Sequence, residues 1–245
     1  MKRHDQIMSL HQCIHFITII SALPGEKLMA ATRFLQTFIS VLFIAAFSVT
    51  AIKPACAGPT AASPEPTPGK CLSKDEAELA AKINKLRVDN KLPPLPVSKS
   101  LYTVAKWHVI DLALFAPHEN KTDSSGKPCD LHSWSDKGAG RGEWKPLCYT
   151  ADHKYALDMF KKPHEIVNYM ANGYENIYWT SAPLNPAMVM NGWENKKDEK
   201  DIILQQGNFR RNRWTSMGIG IYGNYASVWF GEGVANDDEM SACVK

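Results

Sequence analysis

Apolar positions recur with a helical period through the early part of the chain and with a two-residue period towards its end. Leu79, Ile83 and Leu86 form an apolar stripe behind Ser73, and Glu76 stands three residues beyond that serine. This is a capping box that starts a first helix, which Pro93-Pro94 end. Leu101, Ala105, His108, Leu112 and Phe115 share one face of a second predicted helix, from about Ser98 to Phe115. A histidine on such a stripe is more often a hydrogen-bonded core residue than a ligand, and His108 is read that way. Ala151 to Lys162 and Pro163 to Ala171 read as two short helical pieces broken at Pro163, with His153 and His164 as their surface residues. Gly173-Tyr174-Glu175-Asn176-Ile177-Tyr178-Trp179 is a β-branched and aromatic run with a polar tip, the signature of a buried strand. Pro186 opens a helix carrying Met188, Val189 and Trp193. The remainder reads as strand: Trp214 to Tyr222 and Tyr225 to Phe230 flank Gly223-Asn224, a two-residue hairpin signal. Gly218 and Gly220 belong to this pair and not to a phosphate loop, because no helix follows them.

Between the second helix and the short pieces, residues 117–150 are polar, Gly-rich and punctuated by Trp134 and Trp144. A loop of that length is either padding or functional, and it carries Leu131-His132-Ser133-Trp134-Ser135 between Cys129 and Cys148. Ahead of the folded region, Met29 to Arg33 is a short basic stretch, Phe34 to Ile52 is apolar, and Ala55-Cys56-Ala57 fits a small-x-small cleavage site. Residues 29–57 are therefore read as a secretory signal, 1–28 as an upstream extension, 58–70 as a Pro-rich linker and 71–245 as the folded domain. The apolar stretch is nearly long enough to span a membrane, but the cleavage site and the prolines after it favour export and no lasting span.

The formal charge of +3 sits wholly in the first 57 residues, and the rest of the chain is balanced. A neutral body lacks the electrostatic footprint of a nucleic-acid binder, so that class of partner is set aside. Cleavage would leave four of the six cysteines, Cys71, Cys129, Cys148 and Cys243. Three pairings are possible. Cys129–Cys148 is favoured because it closes the loop holding His132, leaving Cys71–Cys243 to tie the ends of the domain. A zinc knuckle is disfavoured, since these cysteines form no close C-x-x-C pair. Ser133 and Ser135 neighbour His132, but adjacent residues seldom align for Ser-His catalysis and no nucleophile elbow exists. The many aromatics could line an apolar or sugar-binding groove, although most of that signal belongs to the core.

The order of these features resembles the CAP superfamily of cysteine-rich secretory, antigen 5 and pathogenesis-related proteins, in a divergent bacterial-type form. The resemblance covers roughly Lys74 to Glu232. It rests on the Asn84-to-Leu95 stretch and on the Ala105, His108, Asp111 spacing of the second helix. It continues through the histidine loop, a Gly-Glu-Asn-Ile strand with Tyr174 inserted, the Trp193 helix and the Gly-rich terminal hairpin. It implies an α/β (α+β) three-layer α-β-α sandwich with a small, mostly antiparallel sheet. It also implies a central cleft where two histidines and two glutamates meet, binding zinc in some members. Carried across, His132 takes the place of the first histidine and Glu175 that of the strand glutamate, while Lys196 and Glu199 stand where a third group and the second histidine belong. With that imidazole replaced by Glu199, a zinc site at His132 and Glu175 would be weak and shifted towards harder cations.

The expectation that follows is a secreted or periplasmic, disulfide-stabilised domain with no certain cofactor. Its cleft, with His132, Glu175, Trp134, Asn176 and Glu199 as ligand-binding candidates, would take an extracellular lipid, sterol, peptide, glycan or protein partner. The competing expectation is a hydrolase of peptide or cell-wall material, with Glu175 as general base and His132 as acid or orienter.

Overall fold

The computed structural model describes residues 66–233 and 239–244. The upstream extension, the signal segment and the linker as far as residue 65 lie outside the described residues. Helix α1, Lys74–Asp89, opens on the capping box: Ser73 N–H donates to Glu76 Oε2 at 2.8 Å and Glu76 N–H to Ser73 Oγ at 3.3 Å. Helix α2, Lys99–Phe115, is capped by Ser98 and ends at Ala116 in a left-handed conformation. The short helices α3, Ala156–Phe160, and α4, Lys162–Val167, lead into strand β1, Gly173–Trp179. The chain breaks between α3 and α4 at Lys161, and Pro163 lies in the first turn of α4, where its missing N–H costs nothing. Helix α5, Pro186–Glu194, precedes the hairpin of β2, Ser216–Tyr222, and β3, Tyr225–Gly231.

One stretch read as strand is helical. Lys197–Leu204 forms helix α6, followed by a single 3-10 turn at Gly207–Phe209. The Ile202-Ile203 pair misleads because both residues are β-branched. Asp201, Ile203 and Leu204 are buried in helical register, whereas Lys197 and Asp198 are exposed.

The described sheet has the order β1-β3-β2, antiparallel throughout. Its register sorts the side chains into two faces. Tyr174 and Asn176 of β1, Val228 and Phe230 of β3, and Met217 and Ile219 of β2 share one face. This face packs with Leu79 and Ile83 of α1 and Val189 and Trp193 of α5 into the larger apolar core. The other face carries Glu175, Ser227, Trp229, Gly218 and Gly220 and lies under α2. A Cβ on Gly218 would stand 2.0 Å from the carbonyl carbon of Leu101, and one on Gly220 would stand 2.4 Å from the carbonyl oxygen of Ala105. Only glycine lets the α2 backbone approach so closely. Helices on both faces of a small antiparallel sheet give the expected three-layer α-β-α sandwich.

The two edges of the sheet differ. The outer edge of β2 is covered by an extended segment: Ser98 N–H donates to Met217 O at 2.8 Å and Met217 N–H to Pro96 O at 3.0 Å. The outer edge of β1 opens onto a cleft. The ends of the domain meet through Cys71–Cys243 and a bridge between Leu72 and Ala242, and Cys129–Cys148 closes the long loop. Among the described residues no helix is long and apolar enough to cross a membrane.

Candidate functional site

Glu175 sits on β1 facing α2, with its side chain fully buried. Isolated there, a carboxylate would be untenable, and three donors surround it. His108 Nδ1 lies 2.6 Å from Oε1, and Ser227 Oγ donates to the same oxygen at 2.5 Å. His132 Nδ1 lies 2.9 Å from Oε2. Burial pushes the Glu175 carboxyl up, but the His108 charge and the hydrogen bonds from both histidines overcome it and hold it at about 2. The other nitrogen of His108, Nε2, is 3.1 Å from the carbonyl oxygen of Ser133. Both ring nitrogens of His108 thus face acceptors, which suits a ring donating from each.

His108 was read as a core residue apart from the cleft. It is buried and on the apolar stripe, yet it is also the closest histidine to Glu175. The 67-residue separation hides this from sequence reading. The available signal was that a fully buried histidine must find a partner.

The loop between the cysteines delivers the second histidine. His132 N–H donates to Asp130 Oδ1 at 2.9 Å, and Trp134 and Leu147 exchange backbone hydrogen bonds at 2.8 and 3.0 Å. Ser135 fastens the loop to Asp111 of α2 through its N–H and its hydroxyl. The His132 side chain remains 25% exposed, which leaves a ring edge for the cleft while Nδ1 stays on Glu175. Burial works against its charged form, but the hydrogen bond to Glu175 and the carboxylates of Glu175, Asp130 and Glu199 raise its pKa above that of an ordinary histidine.

The cleft has a volume of about 570 Å³. His132, Tyr149 and His153 line one side, and Phe160, Tyr174 and Phe209 form an aromatic wall with Asp198 and Glu199 of α6 beside it. Phe160 and Tyr174 have ring centroids 4.6 Å apart, and Tyr174 and Phe209 5.9 Å. His153 lies in a turn at φ 58° and not on a helical piece, with its Nδ1 2.9 Å from Tyr149 Oη. Burial, and after it the charges of Asp130, Glu175 and Asp152, push the Tyr149 phenol up to about 12, so it stays protonated. Sequence reading missed His153 because Ala151 to Lys162 passes for one helix.

The remaining candidates divide. Glu199 lines the cleft and also pairs with Lys196 at 3.2 Å. Asn176 lines the cleft, but its Nδ2 donates to the Glu199 carbonyl oxygen at 2.8 Å and so ties β1 to α6. Trp134 does not line the cleft. It is buried and stacks flat on His108, with ring centroids 4.2 Å apart at 7°. Its role is to hold the other histidine in place.

Two chemical roles considered for these residues do not fit the geometry. A general base needs an accessible lone pair and a pKa near the working pH, and Glu175 has neither. Of the pair, only His132 presents a titratable ring to the cleft. A metal at His132 and Glu175 would have to displace the donors on both carboxylate oxygens, and among the described residues no three acidic, histidine or cysteine side chains group as ligands.

No family model matches the chain, and no curated protein matches it. Among solved structures, it is similar to an extracellular protein containing an SCP domain from Bacillus anthracis, at 16% identity and a TM-score of 0.41 over 64% of this chain and 40% of that one. It is also similar to a cysteine-rich secretory protein from Staphylococcus aureus, at 16% identity and a TM-score of 0.39 over 64% of this chain and 38% of that one. The chain spans about two fifths of the length of these two proteins.

Proposed function

We propose that this is an exported, disulfide-stabilised CAP-type domain whose cleft binds an extracellular ligand and does not turn it over. The observation that carries the reading is the division of labour around Glu175. The carboxylate is consumed in holding two imidazoles, while one edge of His132 and an aromatic wall are left facing an open cleft of about 570 Å³. That volume lies within the range of small-molecule and peptide sites. Export is supported by the two disulfides, which persist in oxidising compartments, and by the signal-like segment at residues 29–57.

The test is a thermal-shift titration of the oxidised protein with three probes: a linear nonapeptide library, cellotriose and oleate. The same titration is run on His132→Ala. A ligand that binds only the folded state raises the melting temperature by mass action. The reading expects at least one probe to stabilise the wild type and to lose most of that effect in the variant. Shifts unchanged in His132→Ala, or no shift with any probe, would overturn it.

A further inference from the structure

The outer edge of β1 is unpaired where it meets the cleft, and the β1–β3 register fixes which main-chain groups face outward. Thr180 N–H donates to Asn224 O at 3.2 Å, at the position that continues the β1–β3 register. In an antiparallel ladder the residues hydrogen-bonded to one neighbour alternate with those facing away. Tyr174, Asn176 and Tyr178 therefore point their main-chain groups at β3, while Glu175 and Ile177 point theirs away from it. Trp193 Nε1 donates to Ile177 O at 3.4 Å, which closes the edge at that carbonyl. Upstream, the N–H and C=O of Glu175 and the N–H of Ile177 have no hydrogen-bond partner among the described residues. Glu175 is 3% exposed while its side chain is fully buried, so what it offers to the cleft is main chain.

Four consecutive residues, Tyr174, Glu175, Asn176 and Ile177, line the cleft. Neighbours in a strand point to opposite faces, so the cleft straddles the sheet edge and does not lie on one face. On the Tyr174 side are Phe160, Phe209 and the Asn176 carboxamide, whose Oδ1 is buried without a partner. On the Glu175 side is His132.

We propose that an extended peptide fills this cleft by adding to the β1 edge as a fourth strand. The inference rests on the reading of the cleft as a binding site and names its ligand class. Unpaired N–H and C=O groups at strand spacing match a peptide main chain, and two walls on opposite faces match its alternating side chains. An acyl chain would leave the main-chain groups unsatisfied, and a saccharide lacks the two-residue repeat. Asp198 and Glu199 at the rim favour a basic residue on the aromatic side.

The experiment takes the tightest member of a linear nonapeptide library and compares it with versions N-methylated at single positions, using the oxidised protein. Blocking the one peptide amide that donates to Glu175 C=O should weaken binding by roughly tenfold or more, and blocking the amides on either side of it should change little. Hydrogen exchange of the Glu175 and Ile177 amides should slow when the unmodified peptide is present. A peptide whose cleft binding ignores N-methylation overturns strand addition while leaving the cleft as a binding site. Cellotriose or oleate binding through His132 with no peptide binding does the same. No cleft binding by any of the three overturns both readings.

Discussion

Two histidines share one carboxylate, and the regions that supply them are built differently. His108 comes from the middle of α2, a helix pressed so tightly on the sheet that Gly218 and Gly220 leave no room for a methyl group. Its ring is fully buried, stacked on Trp134 and bonded at both nitrogens. His132 comes from a loop with little regular structure, held by a disulfide, two backbone bridges and a serine–aspartate contact. Its ring is a quarter exposed. The first histidine makes a buried carboxylate tolerable. The second uses that carboxylate as an anchor, and this difference assigns stability to one end of the network and recognition to the other.

Removing the shared group tests the comparison hardest. Glu175→Ala leaves two imidazoles and a hydroxyl without their acceptor in a dry site, and breaking a buried pair in this way costs about 3–5 kcal/mol. Chemical denaturation should show that loss, with His132 titrating closer to a free imidazole by NMR. A loss below about 1 kcal/mol would mean that the carboxylate is a bystander.

His108→Ala should come next. It removes a buried ring, opens a cavity against Trp134 and leaves Glu175 with fewer donors, at about 2–4 kcal/mol by the cost of large-to-small changes and orphaned acceptors. The double variant with Glu175→Ala should cost less than the sum of the two. Additivity would show that the groups do not interact.

How far this network was legible in the sequence follows the same division. His132 and Glu175 could be found, because a histidine bracketed by cysteines and a polar tip on an apolar strand are local signals. The capping box, the second helix, the β1 strand and the closing hairpin were legible for the same reason: each rests on spacing within a few residues. The His108–Glu175 contact was not, since it depends on which face of β1 meets α2, and Ser227 gives only a lone hydroxyl among Val, Trp and Phe as warning. Trp134 was misassigned because an aromatic beside a cleft histidine in sequence lies, once folded, behind the other histidine. Helix α6 was lost to a β-branched pair, Ile202-Ile203, whose burial pattern only the packed structure reveals.

The loop side can be loosened without touching either ring. Cys129→Ser with Cys148→Ser releases a loop of about 20 residues, which chain-entropy arguments value at about 3 kcal/mol, and engineered or removed bridges often deliver less. The comparison predicts a particular pattern in the loss. Amides around His132 should exchange faster while those of α2 keep their protection relative to the global unfolding limit. Equal loosening of both regions would merge them into one unit.

Acidity separates the two ends in a smaller and graded way. Glu175 is held at about 2 against an ordinary value of 4.5, so its contribution is present above 4.5 and drains away as the pH falls from there towards 2. His132 is raised above 6.5, so its contribution is present below 6.5 and is lost as the pH rises through its higher folded value. Stability measured against pH should therefore be highest between about 4.5 and 6.5, and His132→Ala should remove the decline on the alkaline side while leaving the acid side in place.

The smallest effect on folding should come from that same variant at a fixed pH near 6. His132→Ala deletes a partly exposed ring from a loop, leaves Glu175 with His108 and Ser227, and should cost no more than about 1 kcal/mol. Ligand binding should nevertheless fall sharply, because the ring is the one titratable group of the network that opens into the cleft. His132→Gln, which can place an amide donor near the same wall, should recover part of the affinity without restoring the alkaline decline in stability. If His132→Ala instead cost as much as His108→Ala, the loop histidine would be as structural as its buried counterpart, and the partition between a stabilising and a recognising end of Glu175 would fail.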